Sequence, residues 1–249
     1  MLADVEILGV SIQMFGLFFA LSFLAWGAVA SRRLGELDRP SDWAYELVFV
    51  TLAGGLVGAK LYWAVDTGAE LSFAGVFGGN GLTWYGGLLG GALAVLAWVR
   101  WRGMDIPHLA DIAAIGLPLG YAIGRIGCQI SGDGDYGVPS GLPWAMPYPD
   151  GVVPTDVAVH PTPIYETLAM GLLAYVLWRL RDRFRPGVLF GVYLLAAGLE
   201  RLLIEFVRRN EATVAGLTQA QVLAIASMIL GAALLAVMAR RRGGLVAAT

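Results

Sequence analysis

The chain has 249 residues, is 57% hydrophobic and only 14% charged, and carries a formal net charge of -2. A soluble domain would carry about a quarter charged residues, so an ordinary soluble globular fold is excluded. The net charge says little by itself; the placement of the 17 Lys and Arg residues says more.

Apolar stretches of about 20 residues, the length that crosses a bilayer, recur along the chain. Seven are predicted as helical spans: Ser11 to Ala30, Ala44 to Val65, Trp84 to Val99, Leu109 to Gly127, Pro163 to Trp178, Val188 to Val207 and Gln219 to Met238. The fold class expected is therefore all-α: a polytopic integral membrane protein. Residues 1–249 are read as a single membrane-embedded domain with one long loop at about 129–161.

The first span is preceded by Asp4 and Glu6 and followed by arginines. A secretory signal peptide has its positive charge before the apolar core. The first span is therefore expected to be retained, although Ala28-Val29-Ala30 resembles a cleavage site.

Twelve arginines form four clusters: Arg32, Arg33 and Arg39; Arg100 and Arg102; Arg179, Arg181, Arg183 and Arg185; Arg240, Arg241 and Arg242. They follow the first, third, fifth and seventh spans. Cytoplasmic loops are enriched in Lys and Arg, so the N-terminus is predicted outside and the C-terminus inside. The opposite loops hold Asp66, Glu70, Asp133, Asp135, Asp150 and Asp156.

In the second and third spans, Gly54 and Gly58, Gly86 and Gly90, and Gly87 and Gly91 lie at the small-xxx-small spacing that lets helix backbones approach closely. Thr83-Trp84-Tyr85 opens the third span, where an interfacial aromatic belt is the ordinary use of Trp and Tyr. Cys128, the only cysteine, excludes an intrachain disulfide and a multi-cysteine metal site. A lone Cys in such a setting is usually a small buried hydrophobe.

Five basic residues fall outside the clusters: Lys60, Arg125, Arg201, Arg208 and Arg209. An Arg within the membrane costs about 2.5–3.5 kcal/mol by insertion scales, so each needs a reason to be there. Arg125 lies near the outer end of the fourth span and is followed by Asp133 and Asp135. An internal Arg–Asp pair and a guanidinium offered to an anionic ligand both fit. On the sixth span, Arg201, Glu205 and Arg208 are spaced i, i+4, i+7 and share one face.

His160-Pro161-Thr162-Pro163-Ile164-Tyr165-Glu166 opens the fifth span. There Thr162 suits a cap, Pro163 the first turn and Glu166 the helix dipole; His160 is left without such a use. Taken together, these arginines, carboxylates, His160 and Tyr85 map to the outer half of the bundle. Guanidinium suits phosphate through bidentate charge-assisted hydrogen bonds, and a phosphate-bearing ligand in that leaflet is a phospholipid.

Four stretches, in order, carry a resemblance: GLTWYGGLLGG from Gly81, GRIGCQISGDGDYG from Gly124, HPTPIYE from His160 and ERLLIEFVR from Glu200. With seven spans in the same orientation, the chain resembles the prolipoprotein diacylglyceryl transferases. That resemblance implies transfer of a diacylglyceryl group from phosphatidylglycerol to the lipobox cysteine of a prolipoprotein signal peptide, with release of glycerol phosphate, in the bacterial inner membrane. It implies no cofactor, no metal and no nucleic acid.

Arg125 and Arg201 match the family's essential arginines, Glu205 its paired glutamate and His160 its histidine. Catalytic roles are expected for Arg125, Arg201, Glu205, Asp133, Asp135, His160 and Tyr85. Contacts with phosphatidylglycerol are expected from Arg125, Arg201, Arg208, Gly132 and Gly137. The chain departs from the family at Cys128, where Asn is common, at Tyr85 in place of His, at Phe15 in place of Tyr, and in the GDGD loop, which is one residue longer.

The competing readings are a phospholipid headgroup transferase, a phospholipid transporter or flippase, and a rhomboid-like protease. The first would carry several Asp at metal-ligand spacing within a span, the second a path of arginines across the bilayer, and the third a Ser facing a His within spans.

Overall fold

A computed structural model describes residues 4–7, 10–68, 83–213, 216–242 and 244–247. Glu70, Gly81 and Leu82 lie outside the described residues, as do the side chains of Trp84 and Arg242.

Each segment read as a span contains one helix. The helices are α1 (Met14–Glu36), α2 (Trp43–Thr67), α3 (Trp84–Arg102), α4 (Ile106–Ser131), α5 (Thr162–Leu180), α6 (Val188–Glu205) and α7 (Gln219–Arg242). Four of them, α1, α2, α4 and α7, are long and apolar enough to cross a membrane by length and composition. The residues Ser11 to Gln13, read as the start of the first span, are instead a strand: β1 (Asp4–Ile7) pairs antiparallel with β2 (Val10–Gln13). A second ribbon, β3 (Met146–Tyr148) with β4 (Thr155–Val159), stands inside the segment read as a long loop. Large apolar side chains such as Phe49, Leu93, Leu172 and Leu230 are exposed on the helices, the arrangement hydrocarbon favours and water does not.

The described residues gather into two compact units, Met1–Val29 with Pro107–Thr249, and Ala30–Ile106. In the second unit, α2 and α3 meet along the predicted glycines. A Cβ on Gly58 would sit 2.7 Å from the Gly90 Cα and would overlap the Gly86 carbonyl. Gly54 faces Gly90 as closely. Glu46 ties the cytoplasm-predicted ends together: Trp98 Nε1 and Arg102 Nε each donate to its Oε2 at 2.8 Å. Lys60 is buried, with its ammonium 5.9 Å from the Trp63 ring. Gly68 and Gly103 end α2 and α3 at positive φ, a conformation glycine adopts without penalty.

The same contacts give a graded test. Gly58→Ala should cost about 1–3 kcal/mol by overpacking, because only backbone lies in the way. Gly55→Ala, whose Cβ would meet the Gly87 carbonyl at an ordinary 3.5 Å, should be tolerated. Melting temperatures of the two purified variants check the difference.

In the first unit, α1 lies against α4. Phe18 and Trp26 fill the space over Gly127 and Gly116 that any side chain would need. Ala114, Ile115, Leu177 and Leu189 bring α4, α5 and α6 into one core. Asp111 of α4 accepts from the Gly187 and Phe190 amides at 2.7 and 3.0 Å, which satisfies open N–H groups at the start of α6. The α6–α7 contact uses Gly191, Gly198 and Gly231. These contacts hold the first half of α4, the end of α5 and the start of α6 together.

Candidate functional site

Glu166 is the centre of the site. It lies on α5 four residues after Thr162, and its side chain is 0% exposed. Three guanidiniums reach it. Arg125 of α4 brings Nε to 3.1 Å of Oε2, Arg201 of α6 brings Nη1 to 3.3 Å of Oε1, and Arg208, just past α6, brings Nη1 to 3.5 Å of Oε2. Tyr121 Oη donates to Glu166 Oε1 at 2.6 Å and accepts from Arg125 Nη2 at 2.9 Å.

Two further carboxylates complete the cluster. Asp135 pairs with Arg125 Nη1 through one oxygen and with Arg208 Nη2 through the other. Glu205, also buried, pairs with Arg201 Nη2 at 2.8 Å and accepts from Asn210 Nδ2 at 2.7 Å. Three guanidiniums and three carboxylates are thus interleaved. The sequence spacing explains the α6 part: Arg201, Glu205 and Arg208 share a face. Burying such charges costs several kcal/mol per ion. A folded core does not need them, so their retention points to chemistry with anions.

The 132–161 segment is built onto this cluster by its backbone. Gly132, at φ 66, follows the end of α4 and accepts from the Val152 amide at 2.7 Å. Gly137 donates to the His160 carbonyl at 2.8 Å, and Val138 to the Val207 carbonyl at 2.8 Å. Tyr136 and Tyr148 stack at 4.1 Å in a small core with Val159. Arg209 lies over the Tyr136 ring at 4.7 Å.

Burial tends to raise the Asp135 pKa, but the Arg125 and Arg208 guanidiniums outweigh it and hold the carboxyl below its ordinary value. A group depressed in the folded state stabilises it above the unfolded pKa, about 3.9 for Asp, and loses that contribution as pH falls through the folded value. The melting-temperature gap between wild type and Asp135→Asn should therefore hold steady from about pH 7 to about pH 5 and close below about pH 4.

Of the residues expected from the sequence, Arg125, Arg201, Arg208, Glu205 and Asp135 come together. Asp133 stands beside them in a different use: its Oδ1 accepts from the Asp135 amide at 3.1 Å. His160 Nδ1 lies 3.3 Å from Tyr165 Oη, which also accepts from Trp144 Nε1 at 2.7 Å. No ion pair or hydrogen bond among the described residues joins the His160 ring to the arginines. Tyr85 belongs to the other unit, its ring 6.4 Å from that of Tyr62. At Gly137 the room for a Cβ is filled by the Val207 carbonyl, His160 Cβ at 2.9 Å and Thr162 Cγ2 at 3.1 Å, so the glycine serves close packing of the loop.

Two readings are corrected. Thr162 does not cap α5; it is the first helical residue, fully buried, and its Oγ1 donates to the Asp135 carbonyl at 2.5 Å. Glu166, read as favouring the helix dipole, lies beyond the first turn of α5 and is the buried hub. The signal available for it was a carboxylate near an apolar helix start, one span away from unexplained arginines. Tyr121 carried no signal beyond lying i-4 from Arg125.

Cys128, Asp133 and Asp135 offer ligand atoms within 4.8 Å of one another. Arg125 Nη1 lies 3.6 Å from Cys128 Sγ and pairs with Asp135. A guanidinium thus takes the cationic place in that group. Glu200 Oε2, on α6, is buried and has no hydrogen-bond partner among the described residues.

Residues 4–237 match the family model described as prolipoprotein diacylglyceryl transferase. Among curated proteins, the chain is 29% identical over 232 residues to the phosphatidylglycerol–prolipoprotein diacylglyceryl transferase of Clostridium tetani, covering 91% of this chain and 93% of that protein. It is 31% identical over 244 residues to the protein of that name from Geobacter sulfurreducens, covering 92% of each. It is 31% identical over 243 residues to the one from Gloeobacter violaceus, covering 92% of this chain and 89% of the relative.

Proposed function

The chain belongs to the prolipoprotein diacylglyceryl transferase family, and from that premise we propose that it moves the diacylglyceryl group of phosphatidylglycerol onto the lipobox cysteine of a prolipoprotein and releases glycerol phosphate. The observation that carries the reading to particular residues is the convergence of Arg125, Arg201 and Arg208 on the buried Glu166.

The reaction is a displacement at carbon. The peptide thiolate attacks C3 of the diacylglyceryl group, the C–O bond to phosphate breaks, and glycerol phosphate departs as an anion. Charge grows on the departing phosphate. Fixed guanidiniums in a site shielded from water stabilise such charge without reorganising during the step. Arg125 and Arg201 are assigned to that task, with Arg208 beside them. Glu205 holds Arg201, and Glu166 holds all three in one orientation.

The thiol needs a base, because a free Cys has a pKa of about 8.5. Asp133 and His160 make no ion pair with an arginine among the described residues, which supports them over Glu205. Tyr85 is assigned a hydrogen-bonding role rather than that of the base. Cys128 is not the nucleophile, since the acceptor thiol belongs to the peptide.

The setting is a bacterial inner membrane, crossed seven times, with the N-terminus outside, the C-terminus in the cytoplasm and the site in the outer half. The four arginine clusters and the positive-inside rule support this orientation. The family match runs through both compact units, which supports reading the chain as one catalytic domain.

Incubation of the purified chain with phosphatidylglycerol and a lipobox peptide tests the proposal. The cysteine-bearing fragment should gain the mass of a thioether-linked diacylglyceryl group. An unmodified peptide, with the protein folded and both substrates present, would contradict it.

A further inference from the structure

The three arginines of the site are already matched in number by three carboxylates: Glu166 meets all three, Asp135 meets Arg125 and Arg208, and Glu205 meets Arg201. A phosphodiester brings a further negative charge. It meets a neutral cluster unless one carboxylate gives way. Glu166 and Glu205 sit on helices with side chains 0% exposed. Asp135 sits on the loop after α4, and its side chain is 33% exposed. It also bridges Arg125 and Arg208 with its two oxygens, as two phosphate oxygens would.

We propose that Asp135 is the resting occupant of the phosphate subsite and that the ligand's phosphate takes its place between Arg125 and Arg208. This rests on the phosphate-binding reading of the arginine cluster above.

The backbone makes the exchange local. Thr162 Oγ1, buried at the start of α5, donates to the Asp135 carbonyl at 2.5 Å, and the Asp135 amide donates to Asp133 Oδ1 at 3.1 Å. Both peptide groups are anchored, so the carboxylate leaves by rotation of the side chain while the loop stays in place. The net charge of the cluster is unchanged by a one-for-one swap with a monoanionic phosphodiester. A neutral lipid supplies nothing to replace the carboxylate, so Asp135 also makes the site selective for anionic phosphate over uncharged glycerolipids.

Direct binding to the detergent-solubilised full chain tests this without relying on turnover. The ligands are inorganic phosphate, glycerol phosphate, phosphatidylglycerol and diacylglycerol, measured by calorimetry. Removing the internal competitor with Asp135→Asn should tighten the three phosphate ligands about ten- to a hundredfold and leave diacylglycerol unchanged. Asp135→Glu, which keeps the charge, should bind them as the wild type does.

Unchanged or weaker phosphate binding by Asp135→Asn overturns the exchange. Tightening for inorganic and glycerol phosphate but not for phosphatidylglycerol supports the exchange and overturns the lipid reading of the site. If the Asn variant does not fold, the wild type still decides. Adding glycerol phosphate should shift a carboxylate band in the infrared difference spectrum of protein made with heavy-carbon aspartate, and no shift overturns the proposal.

Discussion

Replacing Arg125 with alanine should reduce diacylglyceryl transfer by at least about a hundred- to a thousandfold while the protein stays in the membrane. One donor to a developing oxyanion is worth about that factor, and Arg125 does more than a single donor. It touches Glu166, Asp135 and Tyr121 at once, so its loss removes a charge and loosens three neighbours. Arg201→Ala should fall in the same range, because Arg201 reaches Glu166 and Glu205 from another helix. Lysine should not rescue Arg125: a compact ammonium cannot serve several partners held in the fixed fork of a guanidinium. Rates from a mass-based transfer assay, alongside the amount of membrane-inserted protein, provide the check. Full transfer by Arg125→Ala or Arg201→Ala would remove the arginines from the reaction.

The second large effect belongs to Glu166. Glu166→Gln leaves three guanidiniums around a neutral amide. Breaking a buried pair from one side costs about 3–5 kcal/mol, because the remaining charge is left uncompensated; here one net positive charge is left among three guanidiniums that Asp135 and Glu205 still contact. Melting temperature in detergent should drop clearly, and transfer should fall with it. Glu166→Ala should be no better, since it also removes the Tyr121 partner. An unchanged melting temperature in Glu166→Gln would mean that the cluster is not held together by its hub. Asp135→Asn contrasts usefully: it too removes a carboxylate, yet the account expects tighter phosphate binding, because Asp135 occupies the place the ligand takes.

The helices were legible because hydrophobic length is a strong signal, and their ends fell close to the expected ones at Arg102, Leu180 and Glu205. The glycine contact of α2 with α3 was legible for a similar reason, since small residues at four-residue spacing have few other uses in a membrane helix. The arginine set was legible because charge inside apolar segments demands a partner. Glu166 was not, because a carboxylate near a helix start has an innocent explanation that requires no tertiary contact. Which partner it meets depends on how α4, α5 and α6 pack, and sequence spacing within one helix carries no such information. The β3–β4 ribbon was hidden likewise: its stability comes from Tyr136 stacking on Tyr148 and from bonds to Val207, His160 and Gly132. A loop rich in Gly, Pro and Asp gives no periodic pattern for that.

The central claim is that the arginines stabilise a phosphate leaving from carbon. It is tested most directly by phosphatidylglycerol carrying heavy oxygen in the bridge between the diacylglyceryl C3 and phosphorus. After reaction with a lipobox peptide, the account predicts all of the label in released glycerol phosphate and a thioether-linked diacylglyceryl group on the cysteine. Label retained in free diacylglycerol, with the peptide cysteine unmodified, would place the break at phosphorus and contradict it.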